Sequence, residues 1–169
     1  MKLTRNILLL VAGLVLAACT NPDRFGASGA GGAGGNGAIV PGSANDPTSV
    51  AYFNQTIGDR VLFAVDQSTI SDEGRITLDG QANWLSENGD FTAIIEGHAD
   101  EQGTREYNVA LGARRANAVR EYLVSRGVAE SRLRTVSYGK ERPIEICSTE
   151  ACYQKNRRAV TVLASGLSS

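Results

Sequence analysis

The stretch 91–126, FTAIIEGHADEQGTREYNVALGARRANAVREYLVSR, decides the fold. Its opening run, Phe91-Thr92-Ala93-Ile94-Ile95-Glu96, is rich in aromatic and β-branched side chains and predicts a strand. The second half predicts a helix from about Thr104 to Arg126, with Gly127 supplying its C-terminal stop. At about 100° per residue, Leu111, Gly112, Val119, Tyr122 and Leu123 fall on one arc. Arg114, Asn117, Arg120 and Glu121 point elsewhere, as solvated residues should. A strand, a short loop and an amphipathic helix form one unit of layered structure.

The same alternation continues on both sides. Upstream, Arg60 to Val65 predicts a strand, and Ser71 caps a helix that carries Leu78, Ala82 and Leu85 on one face. Asn88-Gly89 ends that helix. Downstream, Leu133 to Tyr138 and Ala159 to Ala164 complete the strands. The expected architecture is an α/β (α+β) two-layer sandwich over residues 50–169, with helices packed on one sheet. Trp84, Tyr52 and Phe53 are expected in or against its core.

One residue breaks the helix pattern. Arg115 lies in the middle of the apolar arc, where a guanidinium is costly unless it meets an anion. Its side chain leans toward the helix N-terminus, which makes Asp100 in the 100–104 loop the expected neighbour. Two readings stand at this point. The pair is a structural bridge, or the unlike charges jointly hold a zwitterionic ligand.

The run Glu96-Gly97-His98-Ala99-Asp100-Glu101-Gln102-Gly103-Thr104, then Tyr107-Asn108, Leu111-Gly112 and Arg114-Arg115-Ala116, resembles the OmpA C-terminal-like domain family. Ser137-Tyr138-Gly139-Lys140-Glu141, Pro143 and Asn156-Arg157-Arg158-Ala159-Val160 continue the match, which covers nearly the whole folded part. The resemblance implies a mixed four-stranded sheet and non-covalent binding of peptidoglycan through the diaminopimelate of its stem peptide. Carried over by position, it implies that Asp100 meets the ligand ammonium and that Arg115 and Arg157 meet carboxylate. Asn108 would add an amide contact, and Asp66 would line the pocket. Ala64 departs from the pattern, because many relatives carry Asp there. Among lipoproteins of this family the implied partners are TolB and the other Tol–Pal components of the envelope.

The N-terminus carries a different signal. Lys2 and Arg5 precede an apolar run, Ile7 to Val15, too short to span a bilayer permanently. It ends in Leu16-Ala17-Ala18-Cys19, which resembles the lipobox of bacterial lipoproteins. That implies cleavage after residue 18 and lipid on Cys19, and the absence of Asp at Thr20-Asn21 implies the outer membrane. Residues 19–49, with Gly31-Gly32-Ala33-Gly34-Gly35 at their centre, are expected to be a flexible tether with a reach of roughly 30 Å.

Composition narrows the function further. Loss of Lys2 and Arg5 leaves 15 basic against 18 acidic side chains, so a nucleic-acid partner is not expected. Cys147 and Cys152 would sit in an oxidising compartment, where a disulfide is expected over two free thiols. The one histidine, His98, lies far from them, so neither a metal site nor another cofactor is expected. No nucleophile–base–orienter set accompanies His98 in sequence, so an enzyme is not expected either. The alternative reading is an envelope scaffold in which contacts with partner proteins dominate.

Overall fold

The computed structural model describes residues 39–146 and 148–165. The export signal, Cys19, the glycine-rich run and Cys147 lie outside the described residues. The chain divides into Met1–Gly37 and a unit Ala38–Ser169, and the following concerns the second.

Four strands form one sheet in the order β1-β4-β2-β3. They are β1 (Arg60–Leu62), β2 (Phe91–His98), β3 (Leu133–Gly139) and β4 (Arg158–Ser165). The β1–β4 and β4–β2 pairs are antiparallel, and β2–β3 is parallel. The sheet is therefore mixed, as the resemblance implied. Four helices accompany it: α1 (Val50–Tyr52, running into a π-helical turn Phe53–Gly58), α2 (Asp72–Glu87), α3 (Arg105–Ser125) and α4 (Glu150–Asn156). None of the described helices is long and apolar enough to cross a membrane.

The long helices begin where local chemistry says they should. Ser71 Oγ accepts from Gly74 N at 3.1 Å and Thr104 Oγ1 from Tyr107 N at 3.2 Å, each satisfying a first-turn amide. Asp72 and Glu73 complement the helix dipole at the start of α2. Gly127, at φ 98°, ends α3 in the left-handed region open to glycine.

Burial follows the two periodicities. Leu78, Ala82 and Leu85 of α2, and Ala116, Val119 and Leu123 of α3, meet Ala93 and Ile95 of β2 in one core. Phe53 and Trp84 stack edge to face, with ring centroids 5.0 Å apart. The Trp84 indole donates to Pro47 O at 2.6 Å. The chain just ahead of Val50 is thus bonded to the domain. Helix α3 sits directly on β2 because two glycines face each other. A methyl group on Gly97 would lie 1.8 Å from Gly112 O. This contact fixes the height of α3 over the sheet, and with it the residues α3 carries to the site.

Two elements differ from expectation. β1 stops at Leu62 rather than Val65. Phe63 N still bonds Arg157 O at 2.9 Å, but Ala64 O turns to accept from Gln67 N and from Arg115. Asp66 then takes φ 54°, a left-handed turn that Asp tolerates better than most residues. Helix α4 has no periodic apolar face in the sequence and forms against the site instead.

Candidate ligand-binding site

A cleft of about 250 Å³ opens where β1 and β2 end, lined by Val65, Asp66, Asp100, Gln102, Gly103 and Tyr107. It gathers two of the expected residues from points 34 positions apart in the chain. Asp66 reaches it through its left-handed turn, and its Oδ1 accepts from Tyr107 OH at 3.2 Å. Asp100 reaches it from the loop after β2, with Oδ1 accepting from Gln102 N at 3.1 Å. Two carboxylates on one small cleft give its wall a negative charge that suits a cationic group.

The positive charges lie behind this wall. Arg157, with only 4% of its side chain exposed, donates from Nη1 to Asp100 Oδ2 at 3.1 Å and from Nε to Phe63 O at 3.2 Å. Its Nη2 pairs with Glu150 of α4. Burial works against the Arg157 charge, but hydrogen bonds to Glu150 and Asp100 outweigh it and raise the guanidinium above its ordinary range.

Arg115 is fully buried. Its guanidinium donates to three main-chain carbonyls: Nε to Gln67 O at 2.8 Å, Nη1 to His98 O at 2.8 Å and Nη2 to Ala64 O at 3.1 Å. The Phe63 ring lies 5.2 Å from its Cζ. Burial pushes its pKa down to about 10, against the stabilising charges of Asp100 and Asp66, so it stays ionised at neutral pH. Of the two readings of this pair, the direct bridge does not form: the hydrogen-bonded cation of Asp100 is Arg157, and Arg115 acts on the carboxylates through its charge. Sequence could not separate these arginines, because the carbonyls that occupy Arg115 come from a turn with no side-chain signature.

Asn108 was expected to contact ligand. It is 1% exposed, and its Nδ2 donates to Gln102 O at 2.7 Å, so it holds the Asp100–Thr104 loop from inside. The same loop is gripped from outside, as Lys140 Nζ donates to Gly103 O at 2.7 Å and Tyr153 OH to Glu101 Oε1 at 2.9 Å. Cys152 of α4 is disulfide-bonded, and its expected partner Cys147 lies outside the described residues. Sequence reading did not place Tyr107, Gln102 or Glu150 in the site. An exposed tyrosine one turn into α3, beside the loop, was the available signal for the first.

His98 stands apart. It is 1% exposed, its ring centroid lies 5.6 Å from that of Tyr138, and among the described residues neither ring nitrogen has a hydrogen-bond partner. Glu96 Oε2 lies 3.6 Å from Nε2, too far for a hydrogen bond. Burial, then the charges of Arg158 and Arg142, push its pKa down to about 4 from 6.5. The unfolded chain therefore takes the proton first as pH falls. Stability should drop from pH 6.5 toward pH 4, by about 3 kcal/mol for this group. His98→Phe should remove that part of the slope in urea melts taken across the window, and an unchanged slope would show that His98 is not its source.

Among the described residues no cluster of His, Cys, Asp or Glu could hold a metal ion.

Known proteins agree with this layout. Residues 62–157 match the OmpA family. A peptidoglycan-associated lipoprotein of Mesorhizobium japonicum is 49% identical over 164 residues, covering 96% of this chain and 94% of that relative. The crystal structure of the peptidoglycan-associated lipoprotein from Burkholderia pseudomallei matches with a TM-score of 0.64 and 37% identity, over 71% of this chain and 98% of that one. The C-terminal domain of Helicobacter pylori MotB, at 21% identity and a TM-score of 0.60, shares the fold. With a fold and a sequence that both match theirs, this chain belongs to the OmpA family and, within it, to the peptidoglycan-associated lipoproteins.

Proposed function

We propose that this protein is a non-catalytic tether: lipid on Cys19 holds it in the outer membrane, and the folded domain grips the diaminopimelate of peptidoglycan stem peptides. The observation that carries the reading is the corner cleft, where Asp66 and Asp100 face the opening and Arg115 and Arg157 stand behind them. Free diaminopimelate ends in an ammonium and a carboxylate on one carbon. The ammonium suits the two aspartates, and the carboxylate is attracted by the arginine charges. Each such contact is weak alone, but a mesh displaying many copies makes anchoring effective. The relatives named for peptidoglycan association support the same ligand. TolB and the other Tol–Pal components are the partner proteins of this reading, and exchange between wall and TolB would use the exposed rim of the cleft.

The test compares two walls. Stem peptides with diaminopimelate carry the carboxylate, and those with lysine at the same position lack it. The soluble domain should bind a diaminopimelate muropeptide at least about 10-fold more tightly than its lysine counterpart, the worth of one charge-assisted contact. Equal affinities would remove the zwitterion from the account.

A further inference from the structure

A second and larger groove, about 630 Å³, runs along the outer edge of β1. Its floor is the continuous run Arg60 to Val65. Its walls are Glu73, Gly74 and Thr77 of α2 on one side and Glu150, Gln154 and Arg157 on the other. Two residues join it to the corner cleft. Val65, half exposed, lines both cavities. Arg157 lines the groove while its Nη1 holds Asp100 of the cleft. The groove is therefore a continuation of the ligand site rather than a separate depression.

The backbone of the floor is unpaired on this side. In the antiparallel β1–β4 ladder, Thr161 N donates to Asp59 O at 2.7 Å and Phe63 N to Arg157 O at 2.9 Å. Residues alternate in such a ladder, so Asp59, Val61 and Phe63 direct their amides and carbonyls to β4. Arg60 and Leu62 direct theirs the other way, toward the groove they line. Among the described residues these groups meet no hydrogen-bond partner. β1 is an edge strand with one rim open, the arrangement that accepts an added extended chain. Between the charged walls, Leu62, Ala64 and Val65 give this floor an aliphatic strip, with Leu62 43% and Val65 50% exposed. Ala64, which the family comparison left as an unexplained departure, thus adds an apolar surface to this floor.

We propose that the groove is a subsite for an extended peptide of small residues, namely the D-alanyl residues that follow diaminopimelate in an uncleaved stem. Their amides would bond to the outward N–H and C=O groups of Leu62, within the ~7 Å that two extended residues span, and their methyl groups would lie on Ala64 and Val65. The inference rests on diaminopimelate occupying the corner cleft. It goes beyond that reading by making this protein prefer long stems, and so newly made wall, over stems trimmed back to diaminopimelate.

Titration of the soluble domain with a disaccharide tripeptide ending in diaminopimelate, and with the pentapeptide that adds two D-alanines, tests it. The pentapeptide should bind about tenfold more tightly, the yield of one or two added backbone hydrogen bonds. Leu62→Pro deletes an outward N–H without touching the β4 ladder and should erase this preference while leaving tripeptide binding intact. Thr77→Trp fills the groove from α2 and should do the same, which guards against a local fault introduced by proline. Equal affinities for the two ligands in the native protein, or loss of tripeptide and pentapeptide binding by the same factor in both variants, would overturn the subsite. Failure of the native protein to bind either ligand would instead sink the corner-cleft reading.

Discussion

Arg115→Ala should unfold about 2 M earlier in urea than the unaltered domain, with no change in the slope of the transition. The substitution strips hydrogen bonds from the carbonyls of Ala64, Gln67 and His98 and opens a void beneath Phe63. Ala64 O keeps its bond from Gln67 N, but each buried acceptor left without a donor costs roughly 1–3 kcal/mol, and with the void beneath Phe63 a loss of about 4 kcal/mol is expected. At a typical urea slope of about 2 kcal/mol per M, that is the stated shift of the midpoint. Arg115→Lys should fall between the two. One ammonium can satisfy one or two of the carbonyls but lacks the planar fork that reaches three directions. The damage should concentrate at the Ala64–Gln67 turn, because α3 retains its glycine contact with β2. A midpoint within experimental error of the unaltered domain would mean that the guanidinium does not hold this turn.

Asp100→Asn should act on the ligand far more than on the fold. The amide keeps an oxygen for Gln102 N and removes only the charge that faces Arg157 and the cleft. Losing one side of a hydrogen-bonded charge pair of this kind costs 2 kcal/mol or more in binding, so affinity for a diaminopimelate muropeptide should fall at least ~30-fold. Arg157 retains Glu150, which limits the cost to stability. Calorimetric titration beside a thermal melt separates the two effects. Unaltered affinity with an intact melt would remove Asp100 from the site. Those two outcomes would divide the original pair of unlike charges, with Arg115 chiefly a fold residue of electrostatic reach into the cleft and Asp100 the contact.

This division explains why a single substitution is a poor guide to function in such a site. Loss of wall binding in Arg115→Ala would look like a lost contact, yet it follows from collapse of the turn that carries Asp66. Asn108 belongs to the same class, since its amide is spent on the loop that presents Asp100. Binding data for either residue have meaning only next to a stability measurement.

What the sequence determined by itself is the local part. Ser71 and Thr104 announce α2 and α3 because a capping hydroxyl acts on an amide three residues away. The apolar arc of α3 was legible for the same reason, and so was the anomaly of Arg115 within it, since a helix places its own residues. The residues and spacing from Glu96 to Ala116 gave the family and, through it, the ligand class. Tertiary structure alone decided the partners. Arg115 meets carbonyls 48 and 51 residues upstream, and Asp100 meets an arginine 57 residues downstream. No periodicity encodes a contact with a main-chain carbonyl, because every residue supplies one. The same reason hid α4 and the open rim of β1, whose roles arise only when the sheet order sets β1 at its edge.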